Sequence, residues 1–416
     1  MVLVLSILLS ACGTSPAGGG ATGAGQATAT TGASGSGSSS EQTTPSGSTG
    51  GARGENTATT GVAGAGGGSD PAAALKALET KVFSTGPNGE QPTSASEVKL
   101  TDDEIGKVKG MNATAAIVLH YAGNDWSTAQ VDGLKSQFGK LGINVIAVTD
   151  ANFKPEKQVS DLETVLAKKP NIIVSIPTDP VATADAYKRA ASAGVKLVFM
   201  DNVPKGFQQG KDYVSVVSAD NYGNGVAAGH LMAQALNSKG KIGLIYHAAD
   251  FFVTHQRYDA FKKTITDNYK DIQILEEQGI SGPDFAGDAE KVASAMLTKH
   301  PDLNGIWAVW DVPAEGVLAA IRSSGRTDVA VTTCDLGKNV AIEMAKGGAI
   351  KGLGAQRPFD QGINEANLAA YALLGKQAPA YVALNALPVS KANVLDAWRT
   401  VYHQDPPADL KSAAGK

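Results

Sequence analysis

Acidic and amide side chains recur where apolar runs stop. Asp201 closes KLVFMD (196–201), Asp311 closes GIWAVWD (305–311) and Asp335 closes VAVTTCD (329–335). Gln356 closes KGLGAQ (351–356) and His247 closes KIGLIYH (241–247). Tryptophans stand nearby: Trp126 follows AAIVLHY (115–121), and Trp307 and Trp310 lie within the 305–311 run. Carboxylates and amides satisfy hydroxyl groups, and indole faces stack on C–H surfaces, so this set suits a polyhydroxylated small molecule. In a strand Trp307 faces opposite to Trp310, which predicts core packing for Trp307.

Catalytic constellations are missing. The chain has no GxxxxGK[ST], HExxH or GxSxG, the patterns that would carry phosphate, zinc or nucleophile chemistry. GNGVAAG (223–229) misses the dinucleotide fingerprint spacing by one residue and follows an Asp-Asn turn, so it reads as a crossing and a helix start. The six histidines (120, 230, 247, 255, 300, 403) show no metal-ligand spacing and read as surface or packing residues. Only His120 and His247 stand near strand ends, where a ligand would lie. Cys334, inside an apolar strand, reads as a buried, inert thiol. Neither a metal nor a cofactor is expected, and no enzymatic activity.

The elements that must position these groups alternate regularly. From residue 115 onward short Val/Ile/Leu runs alternate with helical periodicity: strands at 115–121, 144–148, 171–177, 196–201, 241–247, 272–278, 305–311, 329–335 and 351–356. Helical patterns fill 126–141, 181–193, 222–238, 254–269, 286–299, 313–324, 338–346 and 359–374, with another before 171. Continuous apolar strands joined by helices predict parallel sheets covered on both faces. Nine or ten such units exceed one open sheet, and YVSVVSADNYGNG (213–225) reads as a break between two groups. The predicted fold is therefore α/β, two doubly wound parallel-sheet lobes, with ligand bound beyond the carboxyl ends of the strands. The stretch 71–111 reads as transitional, with one short helix opened by the capping box Thr101–Glu104. Asp102, Asp103 and Glu104 complement that helix's dipole and are not an acid/base cluster.

Composition narrows the classes. The formal net charge is −4 and no long Lys/Arg run occurs, which excludes a nucleic-acid footprint. Two cysteines, Cys12 and Cys334, exclude a disulfide framework. Of 48 glycines, 18 fall within residues 13–70, where 48 of 58 residues are Gly, Ser, Thr or Ala. Such a segment cannot bury enough apolar surface to offset its ordering entropy, so 13–70 reads as a tether. As a random coil it spans roughly 40–45 Å. Residues 1–12 read as an apolar signal segment ending in Leu-Ser-Ala-Cys, whose Cys12 resembles the lipidation site of a bacterial lipobox.

Local patterns in the right order give the chain a family resemblance. Asn124-Asp125-Trp126 follows the first strand, Val198-Phe199-Met200-Asp201 ends another, and Ser218-Ala219-Asp220-Asn221 marks a crossing. Gln256-Arg257-Tyr258-Asp259-Ala260-Phe261 opens a helix; Trp310-Asp311, Thr333-Cys334-Asp335 and Ala355-Gln356 follow. Over about 112–390 these resemble the solute-binding lipoproteins of bacterial ABC importers, in the class of the ribose- and galactose-binding periplasmic proteins. The resemblance implies a type I periplasmic-binding fold whose two lobes are joined by a multi-strand hinge. The first lobe would be 112–218 plus 357–384, the second 220–356, and 385–416 a hinge return with a C-terminal extension. It also implies ligand contacts from Asn124, Asp125, Trp126, Asp201, Asn202, Arg257, Phe285, Trp310, Asp311, Asp335 and Gln356. Where the ribose binders carry Arg and Asn, Asn202 and Trp310 stand here, which points to a different sugar or polyol, or to a ligand with a larger apolar face.

The implied partners are a small carbohydrate-like ligand, an ABC importer permease and the membrane through Cys12, with no nucleic acid. The protein is expected to be a monomer outside the cytoplasm. A receptor of the same fold could instead feed a chemotaxis or quorum-signal system. A ligand-sensing transcription regulator would need a helix-turn-helix headpiece before residue 112, where the chain has a signal segment, a tether and a capped helix.

Overall fold

A computed structural model describes residues 70–416; Cys12 and nearly all of the tether lie outside the described residues. The chain begins with α1 (Pro71–Ala77), β1 (Thr93–Ser94) and α2 (Asp102–Lys109). The first lobe follows as β2 (Thr114–Leu119), α3 (Asp125–Lys140), β3 (Asn144–Asp150), α4 (Pro155–Ala167), β4 (Ile172–Ser175), α5 (Ala184–Ser192), β5 (Lys196–Met200) and β6 (Ser215–Ala219). The second lobe comprises α6 (Asn221–Ala235), β7 (Gly240–His247), α7 (Phe252–Asn268), β8 (Ile272–Ile280), α8 (Phe285–Lys299), β9 (Gly305–Ala308), α9 (Asp311–Ser324), β10 (Ala330–Cys334), α10 (Lys338–Lys346) and β11 (Ile350–Ala355). The chain then returns through α11 (Pro358–Leu373) and β12 (Tyr381–Leu384), and ends with β13 (Leu387–Ser390), α12 (Val394–Tyr402) and α13 (Ala408–Ala413).

Two sheets result. The first is wholly parallel, ordered β1-β12-β6-β5-β4-β2-β3; the second is β13-β11-β10-β9-β7-β8, parallel except for β13 against β11. Central strands such as β4 and β6 are buried at every residue, as helices on both faces of a parallel sheet require. The outer strands β3 and β8 are largely half-buried. Glu276 and Glu277 of β8 are paired with Lys299 and Lys262, charges that blunt a sheet edge. Helices α3 and α11 pack at backbone distance: a Cβ at Gly133 would fall 2.1 Å from the Phe359 carbonyl oxygen, and one at Gly362 would fall 2.6 Å from that of Gln130.

The chain passes between the sheets three times, from β6 to α6 at Asp220, from β11 to α11 at Gln356–Arg357, and from β12 to β13 at Asn385–Ala386. The segment 213–225, read as the break between the two groups, does contain the first crossing, at Asp220, and the residues before it form the fully buried strand β6. Its Val-Val core pairs between β5 and β12.

Both flanking segments are also more integrated than their sequences suggest. Residues 71–111, expected to be transitional, add β1 beside β12, with Thr93 paired to Val382, and bury Leu78, Val98 and Val108. Residues 385–416 add β13 to the second sheet and place Trp398, Val401 and Leu410 in the second lobe's core.

The N-terminal segment spans the first crossing as a strap. Asp220, fully buried, accepts hydrogen bonds from the Phe83 and Ser84 N–H groups, the Ser84 hydroxyl and the Gly223 N–H, each at 2.9 Å. The Ser84 hydroxyl oxygen also accepts from the Tyr222 N–H, 2.9 Å, and Gln256 of α7 donates to the Thr85 carbonyl, 3.0 Å. Burial pushes the Asp220 carboxyl above its ordinary range, opposed by these donors. Removing the carboxylate leaves four donors without a partner. Asp220→Ala should therefore lower stability by on the order of 3–5 kcal/mol, and Ser84→Ala by about 1–2 kcal/mol. Thermal unfolding checks both, and an unchanged Tm for Asp220→Ala would refute the strap's role.

Candidate functional site

The carboxyl ends of both sheets face one cavity of about 320 Å³, toward the small end of the range for ligand pockets. Two aspartates frame it in matching ways. Asp201 follows β5 and Asp335 follows β10, both with left-handed backbone, φ 54° and 67°. This conformation is uncommon outside glycine, and aspartate is among the residues that tolerate it. Each is held by the neighbouring strand: the Asp201 N–H donates to Val217 O and the Asp335 N–H to Gly354 O, both 2.9 Å. The turn directs each carboxylate toward a crossing between the lobes.

Arg257 of α7, 2% exposed, ties these ends together. Its guanidinium donates to both Asp335 oxygens (2.9 and 3.2 Å), to Asn221 Oδ1 (3.0 Å) and to the Val309 carbonyl (3.3 Å). Gln356 donates to Asp335 Oδ1 at 2.9 Å. Asp335 is thus committed to two side chains before any ligand arrives. Asp201 receives one strong donor, the Ser218 hydroxyl at 2.6 Å. Burial pushes its carboxyl up to about 6, against the pull of Ser218 and Arg257.

Aromatic rings make up much of the remaining wall: Trp126, Phe153, Phe251, Phe285 and Trp310, with the imidazoles of His120 and His247. Asn124 caps α3, its side chain accepting from the Ser127 N–H at 2.9 Å, and this fixes the turn that presents Trp126. Burial, with His247 adding to it, lowers His120 to about 3; burial, with His255 adding to it, lowers His247 to about 4. Both rings are neutral at physiological pH. Cys334 lies fully buried behind Asp335, its thiol pushed up to about 12 by burial. Trp307, predicted to be core, stacks on Phe261 at 4.8 Å.

Of the residues expected at the ligand, the cavity brings together Asn124, Trp126, Asp201, Arg257, Phe285, Trp310, Asp335 and Gln356. Three others lie off the wall. Asp125 Oδ2 accepts the Lys338 N–H at 2.7 Å, joining the first turn of α3 to that of α10 across the cleft. Asn202 turns away, donating to the Pro177 carbonyl at 3.4 Å. Asp311 is not a strand end: β9 stops at Ala308, and Asp311 opens α9, where it accepts its neighbour Val312's N–H at 2.9 Å. It presses against Gly337, where a Cβ would come within 2.2 Å of its oxygen. Burial and the nearby Asp335 raise its carboxyl well above the ordinary range.

Sequence reasoning missed Phe153, Thr178, Asp179, Phe251 and Thr254, which line the same cavity. Thr178 and Asp179 lie three and four residues past the end of β4, not at the strand end that marked the others. Phe153 and Phe251 sit in loops after β3 and β7, where no periodicity marks them.

A sequence model of the periplasmic binding protein domain matches residues 115–377. The ribose import binding protein of Salmonella typhimurium is 26% identical over 268 residues, 64% of this chain and 87% of the relative. A D-apiose import binding protein of Actinobacillus succinogenes is 25% identical over 254 residues, 60% of this chain and 78% of the relative. Among solved structures, an ABC transporter solute-binding protein of Agrobacterium vitis, bound with α-D-tagatopyranose, superimposes with a TM-score of 0.64 at 25% identity, covering 70% of this chain and all of that one. The wall residues, from His120 to Gln356, all fall inside the matched domain. A two-lobed fold with its cavity between facing strand ends, and a domain match over more than half of the sequence, carry one conclusion: this chain belongs to the periplasmic binding protein family.

Proposed function

We propose that this protein captures a small carbohydrate or polyol outside the cytoplasm and delivers it to the permease of an ABC importer. The observation that carries the reading is the pair of strand-end carboxylates, Asp201 and Asp335, facing one aromatic-lined cavity. Hydroxyl groups donate to such acceptors, ring C–H faces stack on indole and phenyl groups, and enclosure strengthens each hydrogen bond by excluding water. The relatives named for ribose and D-apiose import, and the structure bound with tagatopyranose, support the same ligand class. The protein is a binding protein and not an enzyme, like those import relatives.

Membrane attachment would come from lipidated Cys12, with the glycine-rich segment as spacer; two acyl chains on one cysteine suffice for stable anchoring. No helix among the described residues is long and apolar enough to cross a membrane. The working unit in this reading is a monomer.

A thermal-shift screen against pentoses, hexoses and polyols tests the ligand class, because a ligand that binds only the native state raises its apparent stability. At least one should raise the Tm, and silence across the panel would overturn the reading. Asp201→Ala and Asp335→Ala should each abolish that shift; retained affinity in both variants would displace the binding site from this cavity.

Asp201 also sets a pH dependence. Its carboxyl, raised to about 6, is ionised at neutral pH and accepts ligand hydroxyls. As pH falls through about 6 it protonates and loses acceptor capacity, so affinity should weaken between neutral pH and about pH 5. Calorimetric titration at both ends of that window checks the sign, and constant affinity would contradict it. Cys12→Ser should move the protein from the detergent phase to the aqueous phase on partitioning of cells that express it; unchanged partitioning would remove Cys12 as the anchor.

A further inference from the structure

The residues lining the cavity fall into two clusters by their own contacts. One is the polar group of Arg257, Asp335 and Gln356, with Asp201 close by. The other is a closed circuit of five rings. His120 meets Phe153 at 5.0 Å between centroids, Phe153 meets Phe285 at 5.5 Å, and Phe285 meets His247 at 5.5 Å. His247 meets Phe251 at 6.0 Å, and Phe251 stacks back on His120 at 6.1 Å. His120 and Phe153 come from the first lobe and the other three from the second, so the circuit exists only while the lobes are together.

This is more aromatic surface than one sugar ring uses. The indoles of Trp126 and Trp310 extend it: Trp126 meets His120 at 6.0 Å, and Trp310 meets Phe285 at 4.9 Å and His247 at 5.5 Å. The imidazoles behave as additional apolar faces, since burial keeps both uncharged. His120 Nδ1 is buried without a hydrogen-bond partner. Charge narrows the choice further. Among the described residues, Arg257 is the one cation lining the cavity and is committed to Asp335, while Asp179, Asp201 and Asp250 add negative charge. An acidic substituent would find repulsion there and no free counter-charge.

Building on the carbohydrate reading above, we propose that the ligand is an uncharged glycoside with a small apolar aglycone. Its hydroxyls meet the carboxylate cluster, and its aglycone lies against the five-ring circuit.

Isothermal titration of the full chain with pentoses and hexoses, each paired with its methyl and phenyl glycosides, tests the assignment. The glycoside of the sugar that binds should bind about tenfold tighter than the free sugar, the factor that one aromatic pair supplies. Phe153→Ala and Phe251→Leu, each shown by thermal unfolding to be folded, should narrow that advantage. A free sugar that binds as tightly as its glycosides overturns the inference and leaves the carbohydrate reading standing. Binding of no member of the panel overturns both. An advantage that survives both variants removes the ring circuit as the aglycone site.

Discussion

A guanidinium group withdrawn from water organises the centre of this molecule. Burying an unpaired charge costs several kcal/mol even after relaxation, so Arg257 is tolerable because a carboxylate and two further acceptors take four hydrogen bonds from it. Asp335 supplies two oxygens, Asn221 an amide oxygen and Val309 a backbone carbonyl. These acceptors come from β10's end, the first residue of α6 and the loop after β9. Satisfying one side chain therefore fixes the separation of three elements at the mouth of the second lobe. Gln356, bonded to the same carboxylate, extends this order into the second crossing between the lobes.

The opposite lobe repeats the geometry without the cation. Asp201 has the same left-handed turn and the same bond to the adjacent strand as Asp335, but its side chain is held by a serine hydroxyl. Its carboxyl is correspondingly raised toward neutrality by burial, with only partial compensation. One carboxylate is pre-committed and electrostatically neutralised, and the other retains acceptor capacity. A hydroxylated ligand can gain more from the second than from the first, although the two positions look equivalent in the chain.

Much of this was legible in the sequence because two signals coincide at the strand ends. A Val/Ile/Leu run that stops at Asp or Gln states both a buried strand and a polar terminus, and Asp201, Asp335 and Gln356 were read that way. Asp311 shows how the same rule fails. Its apolar run continues two residues past the last paired residue of β9, so a helix first-turn aspartate resembles a strand end. Phe153 and Phe251 were hidden for a different reason. They stand in loops, and only the approach of two lobes, distant in sequence, gives them a common surface. β1 was invisible because two residues carry no period; its partner Tyr381–Leu384 lies almost 300 positions away.

The N-terminal strap lies ahead of residue 115, where the family domain begins. The boundary drawn by homology is therefore not the boundary drawn by packing. A fragment trimmed to the conserved domain would leave Asp220 buried without three of its four donors. It would also remove β12, which lies beyond residue 377, and so turn β6 into an open sheet edge, with Val216 and Val217 beside unpaired backbone groups. Exposed apolar edges invite strand addition from other copies. Material that lacks Leu78, Phe83 and Ser84 should be judged by its tendency to aggregate before its ligand affinity is measured.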